Sequence, residues 1–169
     1  MDLTKEKYLA KVYLSLGSNV GNRRGFLTAA LKELAKKINL SDQSAVYATA
    51  PWGNEKQADF LNMCVSGETG LSPQQLLGFI KNTETGLGRK HTKKWGPREI
   101  DIDIIFYDGE VIDMPGLAIP HPHMAERPFV LVPLAEIAPD FTHPLLHKTV
   151  SKMAQEAGSE GVKKAEADE

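Results

Sequence analysis

Two hydrophobic periods alternate along this chain. From Lys11 to Leu16 the apolar residues Val12, Leu14 and Leu16 alternate with Lys11, Tyr13 and Ser15, the period-two pattern of a strand. From Arg23 to Ile38 the period lengthens. Phe26, Leu27, Ala30, Leu31, Leu34, Ala35 and Ile38 recur at three and four, which predicts a helix with Asn22 as its N-cap. The turn Gly17-Ser18-Asn19-Val20-Gly21-Asn22 joins the two. Ser44 to Thr49 and Asp59 to Glu68 read as further strands, and the loop between them is too long for a tight hairpin and able to fold over a ligand. Ser72-Pro73-Gln74-Gln75 signals a second helix ending near Gly86 or Gly88, with serine as N-cap, proline at the first helical position and Gln75 placed to close a capping box. A β-branched run through Ile100 to Phe106 predicts the next strand, and Tyr107-Asp108-Gly109-Glu110 a hairpin turn into Val111 and Ile112. Pro128 to Ala138 is a mixed apolar segment, Val150 to Ala157 a short helix, and residues 158–169 a solvated tail.

The order β-α-β-β-α-β predicts an α+β fold, a ferredoxin-like sandwich in which helices cover one face of a largely antiparallel sheet, with C-terminal additions. One domain over 1–157 followed by a flexible tail over 158–169 is the expected organisation. A length of 169 residues with 41% hydrophobic content suits one core and would cramp two. The formal net charge of −2 argues against a general nucleic-acid or membrane-surface binder, since such partners demand a basic excess. No apolar stretch approaches the roughly 20 residues of a membrane span, and the first residues lack the apolar core of a signal peptide, so the chain reads as cytoplasmic. The single cysteine, Cys64, sits in a strand-like apolar segment and reads as a buried thiol.

The segment Trp95-Gly96-Pro97-Arg98-Glu99-Ile100-Asp101-Ile102-Asp103-Ile104-Ile105-Phe106 carries the chemistry. Residues two apart on a strand share a face, so Asp101 and Asp103 point one way while Ile100, Ile102 and Ile104 point the other. Their carboxylates start about 6 to 7 Å apart, close enough to hold a pair of hard cations. Two such ions form the usual clamp for phosphoryl transfer. The basic run Arg89-Lys90-His91-Thr92-Lys93-Lys94 and then Arg98 flank this pair with anion-binding groups, a combination that suits a nucleotide polyphosphate. The Gly17 turn has neither a Gly-Lys-Ser/Thr ending nor Gly-x-Gly-x-x-Gly spacing, and reads as a support for the site rather than a phosphate cradle. His121 suits a phosphate contact and His123 loop packing. Asn62, an inward-facing strand amide, needs partners that both donate and accept.

These marks, together with Leu16-Gly17-Ser18-Asn19, Tyr47-Ala48-Thr49-Ala50-Pro51, Asp59-Phe60-Leu61-Asn62, Glu84-Thr85-Gly86-Leu87-Gly88-Arg89 and Ile119-Pro120-His121, resemble the 6-hydroxymethyl-7,8-dihydropterin pyrophosphokinases of the folate pathway. The resemblance runs from about Val12 to Pro139. It implies transfer of diphosphate from ATP to a pterin alcohol, with two Mg2+ ions on Asp101 and Asp103 and with Arg89 and Arg98 stabilising the transferred charge. It further implies nucleotide contacts from Lys81, Glu84, Lys94, Trp95, Ile104, His121 and Arg127. The pterin would lie between Phe60 and Phe129, read by Asn62 and the backbone at Thr49 and Ala50, with Trp52 and Trp95 closing the pocket. Lys81 stands where relatives often carry glutamine, Lys94 where they often carry arginine and Gly116 where some carry arginine, departures that bear on nucleotide affinity more than on activity. The expected partners are small molecules only, with no nucleic acid or membrane, and the expected state is a monomer. Two other readings fit parts of the pattern: a ferredoxin-like nucleic-acid-binding module using its sheet face and basic loop, and a metal-dependent nucleotide hydrolase.

Overall fold

The computed structural model describes residues 8–50, 59–89 and 98–166. The first alternating segment becomes β1 (Ala10–Ser18), which pairs antiparallel with β4 (Phe60–Thr69) on one side and with β5 (Asp101–Tyr107) on the other. Two short strands share the outer side of β4: β2 (Ile38–Gln43) opposite its C-terminal half and β3 (Tyr47–Thr49) opposite its N-terminal end. The sheet order is β5-β1-β4-β3-β8, where β8 (Val162–Lys164) is the last strand, all neighbours antiparallel, with β2 also on β4.

α1 (Arg23–Leu34) starts as predicted, with the Asn22 side chain accepting from Gly25 N. It stops before Ile38, where the helical reading had carried it. Ile38 and Leu40 begin an alternating stretch, and pairing Ile38 with Thr69 buries it as well as the helix would have. α2 (Pro73–Gly86) has the complete capping box between Ser72 and Gln75. The strand predicted from Ser44 begins only at Tyr47, because the Ser44 hydroxyl takes the Cys64 N–H at 3.0 Å and competes with the regular ladder.

Val12, Leu14, Leu16, Leu61, Met63, Val65, Ile102 and Ile104 face α1 and α2 and form the larger core. The opposite face, which the predicted sandwich left without helices, is covered too. α3 (Pro128–Ile137) and α4 (Val150–Ala157) pack there on Cys64, Ile105 and Phe106, so helices cover both faces and make three layers. A register shift between Tyr13 and Leu14 leaves Ile105 as an extra residue in β5. Asp101, Asp103 and Ile105 therefore share a face, and Phe106 joins it, which is how a strand that starts with carboxylates ends in a core. Cys64 is fully buried among these residues and its thiol is pushed up to about 12 by that burial, so it is unreactive packing.

Two further corrections concern the second half. Asp108 does turn the chain, but its N–H donates to Lys11 O at 2.7 Å and its Oδ1 accepts from Lys11 N at 2.8 Å, tying it to β1. β6 (Ile112–Met114) consequently pairs with β7 (Leu117–Ile119), not with β5. The segment read as a solvated tail contributes β8 (Val162–Lys164), which pairs antiparallel with β3. Among the described residues no helix is long and apolar enough to cross a membrane.

Candidate active site

α3 and α4 leave one end of their face of the sheet bare, and there the strands floor a cleft of about 610 Å³. Cross-strand register sets its floor. Asp101 lies opposite Gly17, which lies opposite Asn62; Asp103 lies opposite Ser15, which lies opposite Cys64. Directly paired residues point to the same face, so the carboxylates stand at one side of the floor and the amide at the other, with small residues between. Gly17 is required there. A Cβ on it would sit 2.7 Å from Asn62 Oδ1 and 3.6 Å from Phe60 Cδ1. Asn62 is 4% exposed, and its Nδ2 donates to Thr49 Oγ1 at 2.7 Å across the β3–β4 pairing.

The walls come from four elements. The end of α2 brings Lys81, Glu84 and, just beyond it, Arg89; the segment before β5 brings Arg98; the stretch from β7 to α3 brings His121, His123, Glu126, Arg127 and Phe129; β3 brings Thr49 and then Ala50. Arg98 is held through its backbone: Asn19 N donates to Arg98 O at 3.0 Å and Arg98 N donates to Asn19 Oδ1 at 2.8 Å. Asn19, in the glycine turn, thus supports the site from outside the cleft.

Charge in the cleft is unevenly balanced. Glu84 has a side chain only 3% exposed; its Oε2 accepts from Ile102 N at 2.8 Å and lies 2.8 Å from Arg89 Nη1. Burial raises its pKa, against the Ile102 N–H and Arg89, which lower it. The same Arg89 nitrogen lies 3.3 Å from Asp101 Oδ1. Among the described residues no cation contacts Asp103 in this way, and burial, followed by the Asp101 carboxylate, holds its pKa well above the ordinary range, with Arg127 only partly opposing. Burial, then Arg127, pushes His121 down to about 4, leaving a neutral ring at pH 7. Its Nδ1 accepts from His123 N at 3.2 Å, so the proton sits on Nε2 as a donor.

Of the residues singled out in the sequence, Asp101, Asp103, Arg89, Arg98, Lys81, Glu84, His121, Arg127, Thr49, Ala50, Phe60, Asn62 and Phe129 all line this one cleft. Ile104 does not: at 6% exposure it packs in the larger core, and Ile102 lines the cleft in its place. Trp52, Lys94 and Trp95 lie outside the described residues. Ser15, Gly17, His123 and Glu126 line the cleft too. His123, read as loop packing, was missed for want of a way to place it beside His121; Ser15 and Gly17 needed the register of β1 against two strands.

Among the described residues there is no cluster of three or more side chains of the kind that hold a metal by themselves. Two carboxylates are nevertheless the donor set a magnesium ion takes when it keeps several waters and shares the phosphates of a substrate. Asp103, which no described cation contacts, is a group that such a cation would satisfy.

Residues 13–139 match the protein family described as 7,8-dihydro-6-hydroxymethylpterin-pyrophosphokinase (HPPK). A 2-amino-4-hydroxy-6-hydroxymethyldihydropteridine pyrophosphokinase of Aquifex aeolicus is 44% identical over 148 residues, covering 88% of this chain and 92% of that protein. The protein of the same name from Methylorubrum extorquens is 45% identical over 134 residues, covering 78% of this chain and 85% of its own. Among solved structures, Plasmodium falciparum HPPK-DHPS with pterin and p-hydroxybenzoate superposes with a TM-score of 0.72 at 18% identity, over 91% of this chain and 42% of that one, a likeness of fold.

Proposed function

Since the chain belongs to the 7,8-dihydro-6-hydroxymethylpterin-pyrophosphokinase family, and so is an enzyme of folate biosynthesis that transfers diphosphate from its co-substrate ATP to hydroxymethyldihydropterin, we propose that the cleft on β1, β4 and β5 is where it does so. The observation that carries this is the row Asp101, Gly17, Asn62. Three adjacent strands span about 10 Å, comparable with a bicyclic ring and its hydroxymethyl arm laid across the floor. The ring lies at the Asn62 end between Phe60 and Phe129, where an aromatic pair gains from offset stacking and the buried amide reads hydrogen-bonding groups. Thr49 and Ala50 form its far wall, and Trp52 and Trp95, outside the described residues, are read as closing the pocket.

ATP lies at the Asp101 end, with Lys81 and Glu84 beside the nucleoside and Arg89, Lys94, Arg98, His121 and Arg127 on the phosphates. Asp101 and Asp103 would hold magnesium, two ions, which would supply neutralisation of charge along the phosphates. The hydroxymethyl oxygen attacks the β-phosphorus in line; the bond from that phosphorus to the oxygen bridging it to the α-phosphorus breaks, AMP leaves, and the hydroxyl proton is lost. Arg98, aimed by Asn19, and Arg89 stabilise the charge of the moving group, and neutral His121 donates from Nε2. Positioning and charge suffice, and no protein nucleophile takes part. Lysine at Lys81 and Lys94 supplies charge without a bidentate fork, and Gly116 supplies none. We also read the β5-β1-β4-β3 order with α1 and α2 on one face as a ferredoxin-like core within one domain, acting as a cytoplasmic monomer.

The test is AMP formation from magnesium-ATP with and without 6-hydroxymethyl-7,8-dihydropterin, with mass detection of the pterin diphosphate. AMP and product together, only with pterin, are expected. ADP, or nucleotide loss without pterin, would transfer the site to a kinase or hydrolase. Gly17→Ala is expected to raise the KM for pterin about tenfold, the cost of displacing one or two hydrogen bonds, with ATP binding unchanged. An unchanged pterin KM would remove Asn62 from the reading.

A further inference from the structure

Outside the cleft, the residues after α4 do something a solvated tail would not. Val162, Lys163 and Lys164 pair with Thr49, Ala48 and Tyr47, and Ala165 N donates to Val46 O at 2.9 Å. Antiparallel ladders alternate, so the hydrogen-bonded pairs here are Val46 with Ala165 and Ala48 with Lys163. Ala165 packs against the larger core, and Glu166 O accepts from Arg24 Nη2 at 2.7 Å, which fastens the strand to α1. The whole segment lies beyond residues 13–139, where the family match ends.

What it leans on is β3, a short strand of the main sheet. β3 has three residues, and its two ends are held differently. Its start is bolted to α3: Tyr47 Oη donates to Glu136 Oε1 at 3.0 Å, and Ala45 N donates to Glu136 Oε2 at 2.5 Å. Its end, Thr49, is held among the described residues by pairing with Phe60 on one side and Val162 on the other and by the Asn62 amide, with no tie to a helix. Thr49 is the residue whose hydroxyl takes the Asn62 amide, and Ala50 follows it in the cleft wall. Without β8, β3 would be a three-residue edge strand, free to fray from the end that is not tied to α3, and that end is the wall of the ring site.

We propose that β8 is a positioning element of the active site: by pairing with β3 it holds Thr49, and through Thr49 the amide of Asn62, in the arrangement that binds the pterin ring. This rests on the reading of the cleft as the pterin site. The nucleotide end is built on β5, the end of α2 and the stretch leading into α3, whereas β8 pairs only with β3, so loss of β8 pairing acts first on the pterin.

The experiment uses the full chain carrying Lys163→Pro and Ala165→Pro, in which neither hydrogen-bond donor remains, against a Lys163→Ala, Ala165→Ser control that keeps both. Steady-state KM is measured for pterin and for ATP, and hydrogen exchange is followed at residues 46–49. The proline variant is expected to exchange faster at residues 46–49 and to show a pterin KM about tenfold higher, with the ATP KM within twofold of wild type, while the control matches wild type. An unchanged pterin KM despite faster exchange would overturn the proposal. So would equal rises in both KM values, the mark of general loosening, and so would unchanged exchange, since β3 would then hold without β8. Wild-type protein that makes no AMP with pterin would instead sink the assignment of the cleft, which separates the two failures.

Discussion

Asp103→Asn is expected to lower turnover by about three orders of magnitude or more while leaving the protein as stable as wild type or more so. The two halves of this result have one cause. Asp103 is a half-buried carboxylate beside Asp101, with its pKa raised by burial and by that neighbour. An acid whose pKa is higher folded than unfolded binds its proton more tightly in the native state, so its contribution to stability is lost as pH rises through the raised value. In metal-free protein at pH 8 the charged form is therefore a burden that asparagine, of the same shape, does not carry. Thermal unfolding with a chelator present should show the variant melting higher at pH 8, with the gap closing as the pH falls through the acid range. Activity moves the other way, because the amide cannot serve as an anionic magnesium ligand. Near-normal turnover in the folded variant would end the two-metal assignment. A variant less stable than wild type at pH 8 would show that Asp103 is a structural group with a partner among its neighbours.

Much of this was legible in the residues because it depends on short-range chemistry. Asn22 and the Ser72-Gln75 box mark helix starts that the structure keeps to the residue, since caps answer to donors within one turn. Asp101 and Asp103 had to share a face whatever the strand paired with. Register and burial were not legible. Whether Gly17 lies beside Asn62 depends on how β1 meets β4, and no local pattern states that. Ile38 satisfies a helical stripe and a strand alternation equally, and only β4 decides between them. The apolar run at 128–138 is uniform enough that its face could not be assigned, so the second helical layer, and the cleft left at its end, went unseen. β8 was hidden for the opposite reason: Val162-Lys163-Lys164 is mostly charged, and backbone pairing to a short strand asks little of its side chains.

Arg89→Ala is expected to cost about two to three orders of magnitude in kcat/KM for ATP, and the same change should tighten the binding of free magnesium. One nitrogen of Arg89 lies 2.8 Å from Glu84 Oε2 and 3.3 Å from Asp101 Oδ1. Glu84 is itself fixed by the Ile102 N–H at 2.8 Å, so the guanidinium is anchored on its buried side and leans on Asp101 from there. In the protein without nucleotide it is the counter-charge of Asp101, occupying the place a cation would take. If magnesium and nucleotide bind as proposed, the metal would take Asp101, and Arg89 would keep Glu84 while its remaining donors turned to the phosphates. Removing the side chain would then remove a phosphate ligand and a competitor of the metal at once. Titration of the nucleotide-free variant with magnesium, followed by calorimetry, should give a lower Kd than wild type even as ATP turnover collapses. Glu84→Gln tests the anchor separately. It keeps an acceptor for the Ile102 N–H but weakens the hold on Arg89, and a loss in kcat/KM of about tenfold is expected, smaller than for Arg89→Ala. If Arg89→Ala bound magnesium more weakly than wild type, Arg89 would be a support of the carboxylate pair and not its resident counter-ion, and the exchange described here would be wrong.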